Sequence, residues 1–180
     1  MIDDILKYNE TFVEDKKYEQ FITSKYPEKK IAIVSCMDTR LTELLPSALG
    51  IKNGDAKFIK NAGGVITHPF GSVMRSLIIG IYELGIEEIL VIGHTDCGAK
   101  FTNSDEIISK MLENGVPQKN IDLVKYCGVN WDNWIGGFND LEDSIKKSVD
   151  LIRNHLLISD NVAVHGLIID SITGKLEKIT

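Results

Sequence analysis

Two stretches of this 180-residue chain, Ile31-Ala-Ile-Val34 and Ile89-Leu-Val-Ile92, are apolar at every position. A strand with one face in water alternates polar and apolar residues. A strand apolar throughout must be covered on both faces, which is the condition inside a parallel sheet flanked by helices. Segments with the helical period lie between the apolar runs, at Leu41–Leu49 and Val73–Leu84, and Gly85 stops the second. Strands alternating with helices predict an α/β fold with a mainly parallel sheet.

The rest of the chain fills in that plan. Residues 1–25 spell one or two amphipathic helices, with Ile5, Leu6, Phe12, Val13, Tyr18 and Phe21 among charges, and residues 1–28 are expected to form an N-terminal helical arm. The first strand runs from Ile31 toward Asp38. After the turn at Asn53-Gly-Asp, a second spans Ala56–Lys60 and opens into Asn61-Ala-Gly-Gly. Gly93 is expected to end the third strand. Ser104 is expected to cap a helix to about Asn114, and Pro117 to open another to about Tyr126. Residues Gly128–Asn139 read as irregular, Leu141–Leu157 as a long amphipathic helix, and Asn161–Asp170 as a fourth strand. Leu176–Ile179 is a candidate edge strand. The expectation is a single domain over residues 1–180, with about four parallel strands and one antiparallel edge strand.

Composition limits the function classes. Hydrophobic residues make up 43% of the chain, enough for one well-buried core. A formal charge of -6 argues against a nucleic-acid partner, which calls for a basic footprint. No apolar run approaches the roughly 20 residues that cross a bilayer, and the first residues lack the blocks of a signal peptide. The expected location is the cytoplasm. There the three cysteines, Cys36, Cys97 and Cys127, an odd count with no CxxC, are free thiols or metal ligands rather than a disulfide framework.

The chemistry gathers at strand ends. His94 and Cys97 follow the third strand three residues apart, and an imidazole and a thiol at that spacing can reach one ion. Such a pair also arises by chance, so a third ligand must come from another strand. Cys36 closes the first strand, and parallel strands put their carboxyl ends on one edge, where α/β sheets hold ligands. Two thiolates and one imidazole leave a tetrahedral position open, the ligand count of a catalytic zinc. Asp38 and Arg40 follow Cys36 in the same loop.

Cys36-Met-Asp-Thr-Arg40 together with His94-Thr-Asp-Cys97 resembles the zinc signature of the β-class carbonic anhydrases, and the similarity extends to Lys60-Asn-Ala-Gly63 and His165-Gly-Leu-Ile-Ile-Asp170. The compact length is most similar to the short archaeal-type members. The resemblance implies a zinc enzyme, a parallel sheet with an added antiparallel strand, and an obligate dimer with exchanged N-terminal helices, with a higher oligomer built on that dimer left open. It implies Cys36, His94 and Cys97 as zinc ligands and Asp38 with Arg40 as the dyad beside the open position. Zinc-bound hydroxide would attack carbon dioxide to give bicarbonate, and two thiolates would make the ion a weaker acid, shifting activity to mildly alkaline pH. Paired with Arg40, Asp38 can orient the nucleophile; unpaired, its carboxylate could take the fourth position and close the site.

Other readings stay open. Ala62 and Gly63 border the substrate pocket, as the resemblance implies, or merely form a tight turn. His68 is either a proton relay or a plain loop histidine, the latter preferred. Asp96 either orients a neighbour or caps a helix starting after Gly98, the cap preferred. His165 suits a core or an interface. Carbonyl sulfide or carbon disulfide hydrolysis could use the same site, and so could a non-catalytic regulatory zinc protein with Asp38 as permanent fourth ligand.

Overall fold

Burial of the apolar runs sets the architecture. The computed structural model describes residues 1–180, and in it β1 (Ile31–Cys36) and β3 (Glu88–His94) lie side by side at the centre of a five-stranded sheet. The strand order is β2-β1-β3-β4-β5, with β2 at Ala56–Asn61, β4 at Ala163–Ile169 and β5 at Leu176–Lys178. The first four are parallel, and β5 pairs antiparallel with β4. The α/β class and the antiparallel edge are as expected from the sequence.

Helices cover both faces. On one, α3 (Ser72–Leu84) and α7 (Leu141–Arg153) bury Met74, Leu77, Ile145, Val149 and Ile152 against Val34, Ile89 and Val91. On the other, α2 (Leu41–Ala48) sets Leu41 and Leu45 against Ile33, Ile92 and Ile169. Each such side chain contributes about 1.5–3 kcal/mol by leaving water. The remaining helices, α4 (Ser104–Glu113), α5 (Gln118–Tyr126) and α6 (Trp131–Ile135), precede α7 in the chain. No helix is long and apolar enough to cross a membrane.

Four expectations need correction. Gly93 does not end β3, which continues to His94; a Cβ on Gly93 would lie 2.8 Å from both Leu141 and Ile145, so the glycine lets α7 close onto the sheet. The cap of α4 is Asn103, whose side chain accepts from the backbone N–H groups of Asp105 (2.8 Å) and Glu106 (3.2 Å). Ser104 is thereby the first helical residue, and its hydroxyl bonds Asp132. The 128–139 stretch contains α6, capped where Asn130 accepts from the Asn133 N–H. Helix α7 stops at Arg153 rather than Leu157, and the chain beyond turns so that His155 donates from Nε2 to the Pro69 carbonyl at 2.9 Å.

The N-terminal segment stands apart from this core. Helix α1 (Ile2–Glu14) buries none of its residues, and Ile2, Ile5 and Leu6 are 62%, 56% and 56% exposed. A 3-10 turn at Lys17–Phe21 folds Phe21 onto Phe12, ring centroids 6.3 Å apart.

The turn into β5 hangs on Asp170. One carboxylate oxygen accepts from the N–H groups of Ile172 (3.1 Å) and Thr173 (2.7 Å) and from the Thr173 hydroxyl (2.9 Å). The Thr173 N–H, then its hydroxyl, hold this carboxyl below its ordinary range. A carboxyl whose folded pKa is depressed stabilises the fold above its unfolded value of about 4 and loses that effect as pH falls. Asp170→Ala should therefore melt below the parent at neutral pH, and the gap should narrow on acidification to about pH 3. Circular dichroism melts across pH check this; a gap that widens in acid would contradict it.

Candidate metal centre

The register of the central strands brings the sulfur and nitrogen donors together. Ser35 of β1 faces Ile92 of β3, so Cys36 and His94 leave the sheet within two residues of one another. Past His94 the backbone reverses through Asp96, which has φ +53°, and returns Cys97 to the same spot. The Cys36 and Cys97 Sγ atoms lie 3.8 Å apart, and with a ring nitrogen of His94 all three donors fall within 4.8 Å of one another. All three residues are buried.

This donor set fits zinc on its own geometry and chemistry. A tetrahedral ion with metal–sulfur bonds of about 2.3 Å separates its sulfurs by about 3.8 Å. His94 Nδ1 lies 2.8 Å from the Thr95 carbonyl oxygen, which only accepts; Nδ1 therefore carries the proton and Nε2 the lone pair. That Nε2 is fully buried and has no hydrogen-bond partner. An orphaned buried acceptor costs about 1–3 kcal/mol, and a cation between the sulfurs would satisfy it. Burial pushes the Cys97 thiol above its ordinary range, and the neighbouring Cys36 adds to the effect. Two thiols in such a place become thiolates when a cation supplies the compensating charge.

Beside the donors stands a gripped carboxylate. Arg40 donates from Nε to Asp38 Oδ1 at 3.0 Å and from Nη2 to Oδ2 at 2.8 Å, and its backbone N–H reaches Oδ1 at 2.9 Å. These bonds hold the Asp38 carboxyl down at about 2. Asp38 Oδ2 lies 3.9 Å from His94 Nε2. The dyad thus flanks the donor cluster without belonging to it. Asp96 is not a helix cap, because the chain turns from residues 98 to 103 and α4 starts only at Ser104. Its carboxylate and carbonyl both accept from Arg40 instead, each at 2.8 Å.

Comparison with known proteins agrees with this geometry. The carbonic anhydrase family profile matches residues 31–176. The solved β-carbonic anhydrase isoform I of Trichomonas vaginalis superposes with a TM-score of 0.90 at 37% identity, covering 99% of this chain and 97% of that one. The chain belongs to the β-carbonic anhydrase family. The Bacillus subtilis protein YtiB, provisionally named a carbonic anhydrase, is 51% identical over 99% of this chain and 96% of its own. A carbon disulfide hydrolase of Acidithiobacillus thiooxidans is 31% identical over 82% of this chain and 76% of its own.

In this β-carbonic anhydrase Cys36, Asp38 and Arg40 line a cavity of about 1260 Å³, whose wall also includes Ala62, Gly63, Trp134 and Phe138 but neither His94 nor Cys97. Phe138 has no signature in the sequence beyond its place after Gly136-Gly137, where Gly136 lets the chain pass close to Asp132 and Gly137 close to Ala99 and Thr102. His68 is not brought to the site. It is exposed, the cavity wall stops at Thr67, and its Nδ1 accepts from the Phe70 N–H at 3.0 Å. His165 is half-buried, its Nε2 3.4 Å from Glu88, and Cys127 is exposed.

Gly64 fixes how tightly the 61–64 loop presses on the end of β1. Its φ is +66°, and a Cβ there would meet the Cys36 backbone nitrogen at 2.8 Å. Backbone cannot yield as a side-chain tip can. Gly64→Ala should lose about 1–3 kcal/mol and weaken any metal ion's hold at the donor group, because the displaced segment carries Cys36. Denaturant unfolding and zinc titration check both effects, and an unchanged protein would refute the close approach.

Proposed function

We propose that the chain catalyses the reversible hydration of carbon dioxide to bicarbonate at a zinc ion held by Cys36, His94 and Cys97. One observation carries the reading: two buried thiols and the unpartnered His94 Nε2 converge beside an Asp38 carboxylate that Arg40 holds bidentately. Zinc there would supply the Lewis acidity that makes water a nucleophile near neutral pH. Asp38, ionised and acceptor-only, accepts the proton of that nucleophile at Oδ2 and so directs its reactive lone pair into the cavity. Arg40 keeps the carboxylate off the metal. Ala62 and Gly63 border the space for a small linear substrate, and Phe138 gives that space an apolar side. His68 is given no part in proton transfer, since it lies outside the wall.

The same reading makes the protein a cytoplasmic homodimer, with the domain carrying residues 1–28 as an arm. Support comes from the bare apolar face of α1 and from three unpaired cysteines, which suit a reducing compartment. Replacing Ile5 and Leu6 together with aspartate should convert dimer to monomer in sedimentation velocity; a parent that sediments as a monomer would end the dimer reading.

Hydrolysis of carbon disulfide or carbonyl sulfide at the same centre is the second reading, favoured by the carbon disulfide hydrolase at 31% identity. Stopped-flow assays with the three gases, on protein of known zinc content, separate the two. Hydration of carbon dioxide that rises toward mildly alkaline pH is expected; zinc-replete protein inert toward carbon dioxide would overturn the first reading. Arg40→Ala should cost activity on the order of a hundredfold with zinc retained. Loss of zinc in that variant would contradict the division of roles.

A further inference from the structure

Arg40 is held on two sides. One edge of its guanidinium grips Asp38. From the other, Nη1 donates to Asp96 Oδ2 and Nη2 to the Asp96 carbonyl oxygen, both at 2.8 Å. Four of the five guanidinium N–H groups are thereby committed. Asp96 presents both its side chain and its main chain to one arginine while in the left-handed region, at φ +53°. That conformation is uncommon outside glycine, and Asp and Asn are among the residues that tolerate it best.

We infer that Asp96 is a positioning residue: it pins Arg40, and through Arg40 keeps the Asp38 carboxylate in its bidentate orientation beside the metal centre. The inference rests on the roles given above to Asp38 and Arg40. Arg40 is 39% exposed and Asp38 has only a short swing to cover, 3.9 Å from Oδ2 to His94 Nε2. An exposed arginine gripping one carboxylate pays rotamer entropy and gains little. A second anchor, 56 residues along the chain, removes that freedom. Asp96 itself is 84% exposed, so solvent screens its charge; its effect on Arg40 is chiefly geometric.

The test uses zinc-loaded parent, Asp96→Gly and Asp96→Asn. Glycine adopts φ +53° without strain and keeps the carbonyl contact while deleting the carboxylate. Asparagine also tolerates the turn and keeps an acceptor oxygen. Nitrogen-15 NMR of the Arg40 guanidinium reports rotation about its Cζ–N bonds, and carbon dioxide hydration reports the consequence.

In the parent, separate Nη resonances are expected. In Asp96→Gly they should merge, and kcat should fall about tenfold, the scale of a lost supporting contact, with zinc content and melting temperature unchanged. Asp96→Asn should restore most of both signals. Arg40 resonances in Asp96→Gly identical to the parent's would overturn the inference. So would loss of zinc from that variant, since Asp96 would then be supporting the ligand turn instead. Should the zinc-replete parent prove inert toward carbon dioxide, the functional reading fails, and the Arg40 resonances alone still decide whether Asp96 pins the arginine.

Discussion

The parallel hydrogen-bond register between β1 and β3 is the constraint on which the centre depends. Ser35 opposite Ile92 fixes where each strand runs out, and a slip of one residue would turn one donor away from the other. The register is in turn enforced by burial. Ile33 and Ile92 pack toward α2 while Val34 and Val91 pack toward α3 and α7, so neither strand can slide without exposing one set. The energy that assembles the donors thus comes from apolar surface far more than from the donors themselves, one of which is an orphaned nitrogen. Local irregularity is concentrated at the same edge: left-handed backbone at Gly64 and Asp96 and the unpartnered His94 Nε2 all border one small volume.

Those parts of the fold that were legible in the sequence owe it to burial. β1 and β3 are covered on both faces, so their apolar runs are unbroken, and Gly85, at φ +71°, ends α3 as a left-handed glycine should. Gly93 was not legible. A glycine that stops a strand and one that admits a helix look alike when the partner, Ile145, lies far along the chain. The α4 boundary slipped by one because Asn103 and Ser104 are both good caps, and only the backbone angles at Asn103 choose between them. Helix α6 is too short for a period to show, and its start is set by the Asn130 side chain alone.

The centre followed the same division. Cys36, His94 and Cys97 stood out because they sit at ends of strands whose direction the topology dictates. Asp96 lies between two of those residues, yet its role depends on a backbone reversal and on which way Arg40 extends, neither of which a pattern of residue types encodes. Phe138 reaches the cavity from beyond α6, and no local signal marks that approach. His68 shows the reverse case. A titratable ring in a loop after β2 invited a functional reading, but the loop turns it outward and ties its Nδ1 to the Phe70 N–H.

Charge balance explains how the buried donors and the Asp38–Arg40 pair share one small volume. A divalent cation with two thiolates would carry no net charge, which is the condition for placing it at residues that are nearly all buried. Asp38 and Arg40 neutralise one another in the next layer, with the carboxylate more buried than the guanidinium. Asp96 adds a charge at the solvent edge, where it is 84% exposed and screened, and the far wall of the cavity carries Asp132, Asp140, Asp143 and Lys147. In the proposed reaction a neutral donor set beside a self-neutralising ion pair suits an uncharged, linear substrate, which a strongly signed centre would neither attract nor orient.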